Sequence, residues 1–381
     1  MAQQLPHEEG TMLIHPPKDA SGARRSTTSA TFNFINSIIG SGIIGLPYAL
    51  NQAGLPFGLL LLVIVALITD YSIILLIRGG NLSGTNSYQS LVQSTFGFPG
   101  FLILSALQFL YPFIAMVSLL SMVLTLTILI IVIIRSATFG PQILPTENAW
   151  AFAKWNAIQA VGVMSFAFIC HHNSFLIYGS LEQPTLANWS QVTHVSVGSA
   201  LIISAAFAVA GYTTFTGFTQ GDIFENYCRD DNLATFGRFC FGLSIITTFP
   251  LECFVTREVL SNVFFRRDLS KVEHVVITML IVAVCTSISL AYDCLGVVLE
   301  LNGALSATPL IFIIPSACIL KLSSGRWYQG ENLIATILII AGLFVMITGL
   351  TMTGLNPQDC SHGAEMFYCA DANISGTAPP V

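Results

Sequence analysis

Charge is what this sequence has least of. Of its 381 residues, 14 are Lys or Arg and 20 are Asp or Glu, 9% in all, where soluble domains carry about 25%. A soluble globular domain is excluded on that ground. Basic runs suited to nucleic acid are also missing. So are zinc-ligand spacings, a phosphate-cradling glycine loop after a strand, and a nucleophile elbow, so no catalytic signature is present. The first 30 residues are polar and lack the apolar core of a signal peptide. The first span itself therefore serves as the signal.

What the chain has is apolar length. It is 54% hydrophobic with a mean hydropathy of +0.74, and uncharged runs of about 20 residues recur throughout, each enough to cross a hydrocarbon core of about 30 Å. Nine spans are expected, near residues 31–50, 57–77, 101–134, 156–178, 195–217, 236–256, 275–292, 295–320 and 332–355. They leave a tail at 1–30 and another at 356–381. With the N-terminus inside, ten of the fourteen basic residues fall on the inner side. That bias places the N-terminus in the cytoplasm and the C-terminus outside or in a lumen.

Cysteine placement agrees, because disulfides persist only on the oxidising side. Cys228, Cys360 and Cys369 fall in outer segments, and "NPQDCSHGAEMFYCADANIS" reads as a tail loop closed by Cys360 and Cys369, followed by a glycosylation sequon at Asn373. The sequons at Asn81 and Asn188 lie on the inner side and are expected to stay unmodified. Cys294 and the other cysteines in or beside spans read as small apolar filler.

The first span, "NFINSIIGSGIIGLPYAL", carries Asn36, Ser37 and Gly40-Ser41-Gly42 in mid-membrane. Unwound backbone at that depth is tolerated only where it is buried in protein or lines a watery cavity. Close helix packing through small residues is the other reading of the glycines. Asn36 and Ser37 favour a break, because a buried amide needs a partner and an ion site supplies one.

These residues also carry a resemblance. "NSIIGSGIIGLPYALNQAG", "AIQAVGVMSFAFICHHNSFLIYGSLEQPT", "GYTTFTGFTQGDIFENYC" and "CLGVVLELNGALSATPLIFIIPSA" resemble the sodium-coupled neutral amino-acid transporters of the amino acid/auxin permease superfamily. The resemblance implies an all-α fold like the bacterial leucine transporter, with two inverted five-helix repeats, an eleventh span, and alternating access. It implies neutral amino acids and Na+ as cargo, the lipid bilayer as solvent, and no cofactor. Residence in the plasma membrane or an endolysosomal membrane is left open.

In that fold both first helices of the repeats are broken, here those at 31–50 and 156–178. The resemblance implies substrate contacts at Gly40, Ser41 and Gly42, an unwound stretch over Ser165–Phe168 in the second helix, and Phe166 and Phe168 as pocket walls. It implies a sodium site at Asn36 with Thr248, and Thr247 beside it. Acidic residues inside spans are candidates because charge at bilayer depth is costly. Asp70 and Glu252 read as structural partners in the bundle or near an interface, and Glu300, beside Asn302 and Gly303, as the coupling candidate. His171 and His172 raise proton sensitivity.

The run Phe101 to Ile134 departs from the family. It is 34 residues without a charge, about 51 Å as one straight helix. Leu107–Met116 resembles the family's third span and Val117 onward its fifth. On the order of 50 residues, at about 20 per span, are missing at a junction near residues 116 and 117. Replacing three spans by one keeps the parity, so eleven becomes nine. A first repeat shortened in this way, as a splice variant would be, is expected to insert and to transport poorly or not at all. The alternative is a non-transporting amino-acid sensor or regulatory partner.

Overall fold

The computed structural model describes residues 26–110, 119–260, 270–291, 294–355, 360 and 364–370. Its regular structure is helical, with no strand among the described residues. Outward-facing side chains such as Leu67, Ile202, Met279 and Ile340 are apolar and exposed, the pattern of a protein solvated by lipid.

Helix α1, Thr27–Ile38, starts at Ser26, whose hydroxyl accepts from the Ser29 amide and so caps an otherwise unpaired donor. It stops at Gly40. A 3-10 turn over Ser41–Gly45 follows, then α2, Leu46–Ala53, with Pro47 in its first turn, and the two halves meet at 50°. The expected break is present. Gly54, at φ 85°, turns the chain into α3, Leu55–Ser83, which ends at the left-handed Gly84.

Helix α4, Tyr88–Leu110, contains non-helical Gly97 (φ 72°, ψ −164°) and Pro99. It is long and apolar enough to cross a membrane, yet it does not run straight. Gln89 Nε2 donates to Gln108 Oε1 at 2.7 Å, whereas a straight helix would hold these residues about 28 Å apart. Both ends reach one short stretch of chain, the Tyr88 hydroxyl donating to the Leu310 carbonyl and the Ser306 hydroxyl to the Leu107 carbonyl. α4 is therefore a folded hairpin.

Next come α5, Leu119–Thr138; α6, Ala157–Phe168, with α7, His171–Ser180; α8, Leu186–Phe215; α9, Asn232–Leu260; and α10, Lys271–Ala291. α11, Leu295–Asn302, passes through π-helical turns over Gly303–Ala307 and Pro309–Ile313 into α12, Ile314–Leu322. α13, Glu331–Leu355, precedes the short tail helix α14, Phe367–Ala370. By length and composition eight helices among the described residues could cross a membrane, nine with the bent pair α1–α2. That set includes α4, which folds back, and leaves out α9, whose 29 residues are nonetheless long enough.

The expected single span at 101–134 is corrected. Its first part is the second arm of the α4 hairpin and its last part is α5. The run is unusually long because an arm and a span abut without a charge between them. The junction at 116 and 117 lies outside the described residues.

One end of the bundle is held by disulfides. The expected Cys360–Cys369 bridge is replaced by Cys228–Cys369 and Cys294–Cys360, because folding brings Cys228, after α8, and Cys294, before α11, to Cα distances of 5.4 and 5.8 Å from the tail cysteines, within bridging range. Cys294 is thus a bridge rather than filler. At the same end Lys154 N donates to the Ala53 carbonyl and Phe57 N to that of Phe152, and Arg135 pairs with Asp231. The 3-10 turn Ile223–Asn226 is pinned there by Arg238, which donates to the carbonyls of Phe224 and Tyr227, and by the Tyr368 hydroxyl donating to the Asn226 carbonyl. The opposite end carries the Arg78–Glu331 pair and Lys321 over the Phe96 ring.

Candidate functional site

The two broken spans run in opposite directions and meet at their breaks. A Cβ on Gly42 would lie 2.7 Å from Ala167 Cα and 3.1 Å from Phe166 Cδ1, so only glycine allows this approach. The second break falls at Ile169 (φ −74°, ψ 119°) and Cys170 (φ −142°, ψ 8°). That corrects the expected unwound stretch: Ser165–Phe168 is the last turn of α6, and the chain leaves the helix just after it. No glycine or proline marks the spot, so the sequence pattern could not fix it.

Across the breaks, Asn173 Nδ2 on α7 donates to Ser37 Oγ on α1 at 2.7 Å. His171, fully buried at the start of α7, lies with Nε2 2.6 Å from Ser72 Oγ on α3. Asn36 is 5% exposed and Ser165 0%, and neither Asn36 Oδ1 nor Ser165 Oγ has a partner. Buried polar atoms are nearly always hydrogen-bonded. Two orphans beside two helix breaks are what a site for a polar or ionic ligand leaves behind.

Phe166 and Phe168 are both buried beside the break. Gly40 is extended (φ −107°, ψ −158°) and precedes the 3-10 turn. The side chains of Ser41, Thr247, Thr248 and Glu252 lie outside the described residues. Asp70 accepts from, or pairs with, His194 Nδ1 at 2.7 Å, the structural role expected of it. Asn373 lies outside the described residues.

Glu300 is 1% exposed and is a meeting point of four elements. Its Oε1 accepts from the Tyr48 hydroxyl of α2 at 2.7 Å, and its Oε2 accepts from Gln159 Nε2 of α6 at 3.1 Å and the Thr353 hydroxyl of α13 at 3.0 Å. Gly303 lets α6 come this close, since a Cβ there would sit 2.0 Å from the Gly162 carbonyl oxygen. Sequence reasoning singled out Glu300 but missed its three partners. Gln159, an amide inside an apolar helix, was the readable signal.

The family model described as "Transmembrane amino acid transporter protein" matches residues 23–123 and 111–355. Among curated proteins, "Putative sodium-coupled neutral amino acid transporter 11" of Danio rerio is 60% identical, covering 98% of this chain and 96% of that protein. The Mus musculus protein of the same name is 52% identical over 93% and 91%, and "Vacuolar amino acid transporter 2" of Saccharomyces cerevisiae is 28% identical over 94% and 88%. Among solved structures, a mutant of the Eremococcus coleocola manganese transporter superposes with a TM-score of 0.51 at 11% identity, over 91% of this chain and 92% of that one. At that identity the likeness is one of fold, a helical membrane transporter fold. This chain belongs to the transmembrane amino acid transporter family, a family of membrane carriers and not of enzymes.

Proposed function

We propose that the paired breaks bind a neutral amino acid together with sodium, and that this shortened chain holds its cargo but moves it poorly. The cargo's charged backbone groups would lie at Gly40–Gly42 and Ser165, with its apolar side chain toward Phe166 and Phe168. Sodium would lie at Asn36, with Thr248 and Thr247 as further hard oxygen ligands. Half-helix ends and freed carbonyls suit such pairs of zwitterion and cation. The single observation that carries this reading is the pair of orphaned buried atoms, Asn36 Oδ1 and Ser165 Oγ, beside touching helix breaks. Sodium as the coupled ion follows the names of the vertebrate relatives.

Reduced transport follows from what is missing. The family match falls into two pieces that change over across residues 111–123. The alignment to the Danio rerio protein runs over 429 positions, 48 more than the chain has residues. The α4 hairpin lies just before that changeover, within the first matched piece. In full-length relatives, alternating access would rock one part of the bundle against the other. A second reading, a non-transporting amino-acid sensor, is favoured by the shortened first repeat.

The disulfide end would face the extracellular space or a lumen, since bridges persist only there. On this reading the N-terminus would lie in the cytoplasm and Asn373 on the glycosylated side. Asn81 and Asn188, at the opposite end, would stay bare.

The test is equilibrium binding of a labelled neutral amino-acid mixture to the purified chain, in sodium and in potassium. Saturable binding that needs sodium is expected, with the sodium requirement raised about tenfold in Asn36→Ala, the loss of about 1.4 kcal/mol of ion contact. Binding indifferent to sodium and to Asn36 would contradict the reading.

A further inference from the structure

Glu300 poses a problem the sodium site does not solve. It is 1% exposed, inside a span, and among the described residues no lysine, arginine or histidine pairs with it. Its neighbours from every element packed on it are neutral: the Tyr48 phenol of α2, the Gln159 amide of α6 and the Thr353 hydroxyl of α13. Tyr48 is the other titratable group that faces it. A carboxylate at that depth needs a cation or a proton.

The surroundings argue against a resident cation, while their donors hold the carboxylate state. The three neighbours present donors, and Gln159 turns its Nε2 toward Glu300 while its own Oε1, equally buried, has no partner. A cation site would turn oxygens inward. Glycine-to-glycine contact between Gly162 and Gly303 closes the wall beside it. The unpartnered Oε1 is also what a second state needs. Once Glu300 carries a proton it becomes a donor, and rotation of the Gln159 amide presents an acceptor to it. An amide can do this because its two ends are a donor and an acceptor of nearly the same shape.

We propose that Glu300 is a proton-binding site, a carboxylate in one state of the chain and a carboxylic acid in another, read by the amide of Gln159. The step is a simple proton transfer: hydronium on the face to which the site opens gives its proton to a Glu300 oxygen and leaves as water, and the same O–H bond later breaks to return the proton to water. No electron moves. Glu300 links α2 and α6, the halves of the two broken spans nearer the disulfide end, to α11 and α13. Protonation withdraws an acceptor from this junction, so the proton acts on how these halves are held together. The inference adds a second coupled ion to the amino-acid and sodium reading.

The test does not depend on transport. Infrared difference spectra of the purified chain in lipid nanodiscs are recorded between mildly acidic and mildly alkaline buffer, with and without sodium. The expected result is a carboxylic-acid carbonyl band that appears on acidification, is absent in Glu300→Gln, and keeps its amplitude in sodium. In Thr353→Val and Gln159→Met the band is expected to move, because its hydrogen-bond partners have changed. These two variants also carry the test if Glu300→Gln does not fold. A band unchanged in Glu300→Gln, a band that neither partner variant moves, or a Glu300 signal that follows sodium and not pH would overturn the proposal. Failure of sodium-dependent amino-acid binding would overturn the function proposed above and leave this band in place.

Discussion

Gly42 decides how near the two breaks can come, and its replacement is the sharpest single-residue probe of the site. In Gly42→Ala the new Cβ meets Ala167 backbone, 2.7 Å away, which cannot swing aside as a side chain can. Overpacking of this kind costs about 1–3 kcal/mol. The expected outcome is a lower melting temperature together with lost amino-acid binding, whereas Asn36→Ala, which removes an atom with no protein partner, should weaken binding at little cost in stability. Comparing melting and binding for the two variants checks this. At the disulfide end, burial pushes the Asp222 carboxyl from its ordinary 3.8 up to about 7, against the opposing hydrogen bond from Phe224 N. Its folded value lies above the unfolded one, so its contribution to stability falls as pH rises from about 4 to about 7 and is level beyond. Asp222→Asn, which keeps the acceptor for Phe224 N, should lose that slope and be more stable at pH 7 by about 1–2 kcal/mol, allowing for its partly exposed side. Thermal unfolding across pH checks it, and an unchanged slope would refute the assignment.

At the scale of elements, the first break was legible because Gly40-Ser41-Gly42 and Pro47 punctuate an apolar run. The second was not, because it is made by Ile169 and Cys170, residues at home in a helix, and is imposed by packing against the first. The α4 hairpin was hidden differently. Gly97 and Pro99 are visible turn signals, but the arm that follows them merges without a charge into α5, so the run reads as one long span. The disulfide pairing depends on which loops the bundle brings together, and a separation of only eight intervening residues made the local bridge look sufficient. Two element-scale predictions follow from this geometry. Non-reducing peptide mapping should recover Cys228 linked to Cys369 and Cys294 linked to Cys360, and recovery of a Cys360–Cys369 peptide would contradict the fold of the tail. Gly97→Val, which places a branched side chain at φ 72°, should open the hairpin and break the Gln89–Gln108 contact, read as a loss of crosslinking between cysteines placed at those two positions.

Over the whole molecule, the described helices long and apolar enough to cross a membrane number eight, or nine with the bent pair α1–α2. That membrane-spanning character was legible from composition, since the apolar runs are long enough to cross and bounded by polar turns. Which segment supplies the third crossing was not, because helix length in residues says nothing about folding back. An intact pair of broken spans, with its orphaned ligand atoms, is thus joined to a first repeat that lacks a crossing hairpin's worth of scaffold. Binding and movement of cargo should come apart. The most direct measurement is sodium-driven uptake of a labelled neutral amino-acid mixture by cells expressing this chain, beside a form with the missing segment restored from the Danio rerio relative, both normalised to surface protein. Uptake is expected of the restored form, with sodium-dependent binding but little uptake by the chain as it stands. Equal uptake by both would contradict it.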